Sequence, residues 1–123
     1  MTTAIRVVTL QLKDREVRLL YTNRALSEAE TELDKSILLT VQGFVNGKSG
    51  VTEIAALLKA GMEAGRREAK ISNKPITMND AFDVMDEVGL TATAEAVMKA
   101  ITGVLSYQEG EVPPDEKEDD PNA

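Results

Sequence analysis

Three stretches of this chain combine residue types and spacings that could do chemistry. Gly43-Phe44-Val45-Asn46-Gly47-Lys48-Ser49 has the glycines, lysine and hydroxyl of a phosphate-binding loop. That loop needs four residues between its glycines, and here there are three; Gln42 stands where the first glycine belongs. The loop should also follow a strand, whereas residues 37–45 read as a helix. Asn46 to Gly50 is therefore expected to be a plain turn that holds no nucleotide. Asp80, Asp83, Asp86 and Glu87 cluster on one short helical stretch. A hard cation needs a converging cage of oxygens, which one row on a helix does not supply. The expectation is a solvated face, with Asp80 favoured by the helix dipole. Glu28, Glu30 and Glu32 could supply paired carboxylates for acid–base work. Glu28 and Glu32 share a polar helix face, however, with no recessed partner beside them.

The chain contains no His and no Cys. That excludes zinc sites built on those ligands, disulfide frameworks, thiol nucleophiles and Ser-His or Cys-His mechanisms. No catalytic residue, metal ligand or cofactor-binding residue is expected, and the chain is read as not an enzyme.

Charge argues in the same direction. The chain has 123 residues, with 21 acidic and 14 basic side chains and a net charge of −7. Residues 109–123, EGEVPPDEKEDDPNA, hold seven acids, one lysine and three of the four prolines. Their one large apolar residue is Val112, too little to offset the entropy of ordering, so a disordered, solubilising acidic tail is expected. The remaining 108 residues carry 14 acids and 13 bases, which is nearly neutral. Nucleic acid is not an expected partner, because no basic patch with aromatics is present. The start, Met1-Thr2-Thr3-Ala4, lacks a signal peptide, and no apolar run approaches the roughly 20 residues of a membrane span. A cytoplasmic protein is expected.

The elements follow from periodicity. Residues 5–22 form a predicted hairpin: Val7, Thr9 and Gln11 alternate with Val8, Leu10 and Leu12, and Val17, Leu19 and Tyr21 with Arg18 and Leu20. Helix-forming sequence fills 24–45, capped by Thr22 or Asn23. Asp34-Lys35-Ser36 could break it, with Ser36 capping a second helix, yet Leu33, Ile37, Val41, Phe44 and Val45 continue one stripe. Residues 51–68 form a helix with Ile54, Leu57, Leu58, Gly61 and Gly65 inward. Residues 78–88 form another, with Ala81, Phe82, Met85 and Val88 inward, ended by Gly89. The last helix spans 93–107, opened by Thr91 or Thr93 and faced by Val97, Met98, Ile101, Val104 and Leu105. The fold class is mainly α with an N-terminal β-hairpin, a small α+β domain over residues 1–108 with four to five short helices, followed by the tail at 109–123. The step from Gly61 to Gly65 lets the hairpin or another helix approach closely, or else receives a partner's helix. Met62, Met78, Met85 and Met98 suggest a soft core and adaptable contacts.

This order of signals resembles the small tail assembly chaperones of long-tailed, siphovirus-type phages, their prophages and gene transfer agents. The resemblance rests on the hairpin ending Val17-Arg18-Leu19-Leu20-Tyr21 and on Thr22-Asn23-Arg24-Ala25-Leu26 opening a helix with Glu30. It continues through the run Val51 to Met62 (VTEIAALLKAGM), then Ala81 to Val88 with Gly89, and ends with the helix from Ala94 to Leu105. It covers about residues 5–107 and departs at Asp34-Lys35, where a glycine is expected at the helix break. It implies a non-enzymatic protein that coats the tape measure protein, keeps it soluble, and helps recruit major tail tube subunits. It also implies a place in the host cytoplasm and absence from the mature virion.

On this reading a partner's apolar helix docks on soft apolar positions, for which Phe44, Val45, Met62, Phe82 and Met85 are the candidates, some of them core. Self-association through exposed apolar surface is a further expectation. The alternative is a small acidic interaction module, or a nucleic-acid mimic acting on a host protein. The near-neutral charge of the first 108 residues weighs against a mimic.

Overall fold

The computed structural model describes residues 7–70 and 72–108 of the chain, with side chains described as far as Leu105. Strands β1 (Val7–Gln11) and β2 (Glu16–Leu20) pair antiparallel, with Val7 opposite Leu20 and Gln11 opposite Glu16. The turn between them closes through the Leu12 N–H donating to the Arg15 carbonyl at 2.8 Å. Strand alternation then sorts the side chains. Val8, Leu10 and Leu12 face the interior, while Val7, Thr9 and Gln11 face out.

Five helices follow: α1 (Asn23–Leu33), α2 (Ile37–Val45), α3 (Val51–Ala69), α4 (Met78–Val88) and α5 (Leu90–Gln108). The fold is thus mainly α with an N-terminal hairpin, as the periodicity indicates. The stretch 24–45 is two helices rather than one. Thr22 caps α1 by accepting from the Ala25 N–H, and α1 ends at Asp34, whose φ of 54° is left-handed. Ser36 caps α2 by accepting from the Leu39 N–H at 3.1 Å.

Helix α3 is the centre of the molecule. It packs against β2, α1, α4 and α5, and eleven of its 19 residues are buried. Its glycines explain how β2 comes so close. A Cβ on Gly61 would lie 2.5 Å from Cζ of Tyr21, and a Cβ on Gly65 would lie 2.6 Å from the carbonyl oxygen of Arg18. The small-residue step therefore serves the hairpin, and both glycines are covered by it. Gly61 is thereby closed off by Tyr21, while Gly65 also borders an open groove of about 740 Å³ lined by Val17, Met62, Ile76 and Val84.

Tyr21 fills the space above Gly61 and donates its hydroxyl to the Leu57 carbonyl one turn earlier in α3. The ring is 3% exposed, and burial pushes the phenol well above its ordinary 10.0. Helices α4 and α5 meet at 116° across Gly89, whose φ of 101° suits glycine. The last helix starts at Leu90 rather than at 93, because Gly89 turns the chain directly into it. Thr93 is fully buried one turn in, with its hydroxyl satisfied by the Gly89 carbonyl at 2.7 Å. Val97 and Ile101 of α5 and Val84 of α4 complete a core around Leu19, Leu57 and Leu58. Val84, absent from the predicted inward face of α4, is 1% exposed. The acidic tail at 109–123 lies outside the described residues.

Candidate partner-binding surface

Helix α2, ILLTVQGFV, carries six large apolar side chains in nine residues, yet of all nine only Ile37 and Thr40 are buried. The reason is geometric. A helix buries the stripe that faces its neighbours, and α2, whose chief neighbour is α1, buries Ile37 and Thr40 and half-buries Phe44. Thr40 is tolerated at 0% exposure because its hydroxyl donates to the Ser36 carbonyl at 2.9 Å. The opposite face has no such neighbour. Leu38 is 60% exposed, Leu39 56% and Val45 75%, with half-buried Val41 between them. Leu38, Val41 and Val45 sit at i, i+3 and i+7, so they line one side of the helix. Val51, opening α3 beyond the turn, is 50% exposed as well. Single exposed leucines are ordinary, whereas a helical row of them marks a contact surface.

Polar groups hold α2 in place. The Glu30 carboxylate accepts from the Ile37 N–H at 2.8 Å, and Lys35 pairs with Glu53 at 2.5 Å. Glu30 is thus spent on the free N–H groups at the helix start. Asn46 to Gly50 forms a turn, with Gly47 at a φ of 71° and the Lys48 N–H donating to the Gly43 carbonyl. It follows a helix rather than a strand, as expected.

The five candidate contact residues separate. Phe44 and Val45 lie together on α2. Phe82 is half-buried on α4. Met62 and Met85 are 8% and 6% exposed and belong to the core, with Met62 also at the floor of the groove beside Val17 and Ile76. Their positions at helical spacing already allowed that outcome. Leu38 and Leu39 were not among the candidates, although their adjacency to a capping Ser36 in an apolar nonapeptide was visible.

Most of the carboxylates singled out by the sequence are occupied structurally, while Asp83 and Asp86 are exposed on α4. Glu28 pairs with Arg24 and Arg67, and Glu32 with Lys59. Asp80 accepts from the Thr77 N–H, closing a capping box, and Glu87 from the Lys13 N–H. A residue that sequence reasoning passed over is Glu63, 7% exposed on α3. It accepts from Arg66 at 2.6 and 2.9 Å, pairs with Arg67 at 3.0 Å, and accepts from the Ile76 N–H at 2.8 Å. The Arg66 hydrogen bonds hold its carboxyl down at about 2, against an ordinary value of 4.5. Its spacing to Arg66 and Arg67, i+3 and i+4, was the available signal. A groove of about 620 Å³ between α1 and α3 is lined by these same paired groups, Glu28, Glu32, Lys59, Glu63 and Arg67. Among the described residues no group of three or more Asp or Glu is placed to hold a metal, and no single helix is long and apolar enough to cross a membrane. Comparison with family models, curated proteins and solved structures finds no match.

Proposed function

We propose that this chain is a non-enzymatic tail assembly chaperone of the long-tailed phage type, which holds an apolar helical stretch of the tape measure protein on the outer face of α2. The observation that carries the reading is the exposure of Leu38 and Val45 on one side of α2, with half-buried Val41 between them and Leu39 and Val51 exposed beside them. An apolar helix laid along such a row would engage i, i+3 and i+7 anchors, the pattern of helix-in-groove recognition. The resemblance in the order of hairpin and helices supplies the partner's identity, and with it the recruitment of tail tube subunits and a place in the host cytoplasm outside the mature virion.

The test is co-expression with a tape-measure fragment, followed by pull-down. Leu38→Ser and Val45→Ser should melt like the parent, because neither side chain is buried, and should lose the fragment. Exposed charges are screened beyond about 8 Å at physiological salt, so the complex should survive roughly ten times that salt concentration if apolar contacts carry it. Retention of the fragment by both serine variants, with loss at high salt, would place the interaction in charge and discard the α2 surface.

A further inference from the structure

We propose that α2 is a hinged flap: it detaches from α1 as one cooperative unit, between Asp34–Ser36 and Asn46–Gly50, while the rest of the core stays folded. Its purpose rests on the proposed docking role of α2, but the opening itself is a property of the free chain.

Three observations point to it. The first is the imbalance of burial. Two of the nine residues of α2 are buried, whereas eleven of the 19 residues of α3 are. Segments that bury little and expose much of their surface open at lower free energy than the core. The second is where α2 is attached. Its packing is chiefly on α1, at the edge of the molecule, so lifting it leaves α3 packed on β2, α4 and α5. The third is the boundary at each end. Left-handed backbone at Asp34 (φ 54°) and Gly47 (φ 71°) interrupts the helical hydrogen bonding on both sides, and no helix spans either break.

What closes the flap is small and identifiable. The Glu30 carboxylate holds the Ile37 N–H, Lys35 reaches Glu53, Ile37 is buried in the core, and Phe44 and the inner edge of Val41 pack against that core. Opening would uncover the inner apolar residues in addition to Leu38, Leu39 and Val45. A partner helix could then be gripped from two sides of α2 rather than one. When no partner is present, closure keeps the inner face out of water.

Native-state amide hydrogen exchange on the full chain, without partner, tests the opening. A nine-residue helix detached from its neighbour is too short to hold its own hydrogen bonds in water, so once the flap opens the amides of residues 40–45 should exchange as a group, with protection at least roughly tenfold below that of residues 57–65 in α3. The decisive variant lies outside the flap. Ile101→Val removes one buried methylene from α5 and should lower protection of the α3 amides roughly two- to tenfold. Because Ile101 stays packed when the flap opens, protection in α2 should not change. Glu30→Ala removes the hydrogen bond to the Ile37 N–H, which breaks when the flap opens and also when the whole chain unfolds, so it should lower both sets. Equal protection in α2 and α3, or a parallel fall of both in Ile101→Val, would show that α2 opens only with the whole molecule and overturn the proposal. Exchange confined to residues 43–45 would show fraying of a helix end and would overturn it equally.

Discussion

Gly65 and Gly61 stand a turn apart beneath β2, and the contact at Gly65 is with main chain, which cannot rotate away. Alanine there gains about 1 kcal/mol of helix propensity but places a methyl 2.6 Å from the Arg18 carbonyl. Overpacking of that kind costs about 1–3 kcal/mol, so Gly65→Ala should lower the melting temperature. Gly43→Ala is the control: it is helical, its nearest neighbour would be Ser49 Oγ at 3.7 Å, and it should raise the melting temperature. A rise in both would mean that β2 does not lie where it is placed. Glu63 makes a second prediction. Its folded carboxyl is depressed to about 2 from 4.5, so between those values the unfolded chain binds the proton and the folded chain does not. Its stabilisation is therefore complete above about pH 4.5, declines as the pH falls, and is gone below about 2. Glu63→Ala should destabilise the chain by about 1–3 kcal/mol at neutral pH, because it removes the acceptor of the Ile76 N–H and a carboxylate shared by Arg66 and Arg67, which keep only the Ser72 carbonyl and Glu28. The gap from the parent should narrow through that acid window, as read by chemical denaturation at stepped pH.

Helix boundaries were legible where a side chain does the capping. Thr22, Ser36 and Thr77 each accept from an N–H three residues on, and their types and places announce it. The break between α1 and α2 was less legible, since it depends on a backbone angle at Asp34 that no side chain requires. The apolar stripe across it was misleading for the same reason: after the left-handed turn, α2 restarts with a new phase, and Val45 points outward instead of inward. Left-handed backbone is unfavourable for residues with a Cβ and free for glycine. Asp34→Gly should accordingly stabilise the chain by about 0.5–1 kcal/mol, seen as a higher denaturation midpoint with an unchanged slope. An unchanged or lower midpoint would mean that the carboxylate contributes something at the break. The outward face of α2 was hidden for a related reason. An apolar nonapeptide reads as core, and only the packing of α1 on α3 decides that half of it has no neighbour.

Across the molecule, the contrast in charge between the near-neutral first 108 residues and the acidic end was plain from composition, because charge needs no coordinates to count. The buried role of Glu63 was not, because Asp and Glu are mostly exposed and the exception depends on two arginines and the Ile76 N–H converging from elsewhere. Residues 109–123 have one large apolar side chain to bury, so a chain ending at 108 should melt within about 0.5 kcal/mol of the full chain, the usual scale of surface changes. A loss of about 2 kcal/mol or more would show the acidic segment docked on the fold. The shorter chain should be less soluble near neutral pH, since it loses most of the net charge.

The hydroxyl of Tyr21, held against α3 through the gap left by Gly61, also makes the chain its own optical reporter. There are two tyrosines, Tyr21 and Tyr107, and no tryptophan. Tyr21 in the unfolded chain ionises near 10.0, while burial raises that value in the fold, so stability is intact below about pH 10 and falls as the pH rises beyond it. In Tyr107→Phe the phenolate band near the ultraviolet edge should therefore appear only together with the loss of helical circular dichroism. A band that grows while the helical signal persists would mean that water reaches Tyr21 in the folded chain and that the hairpin lifts from α3 without unfolding.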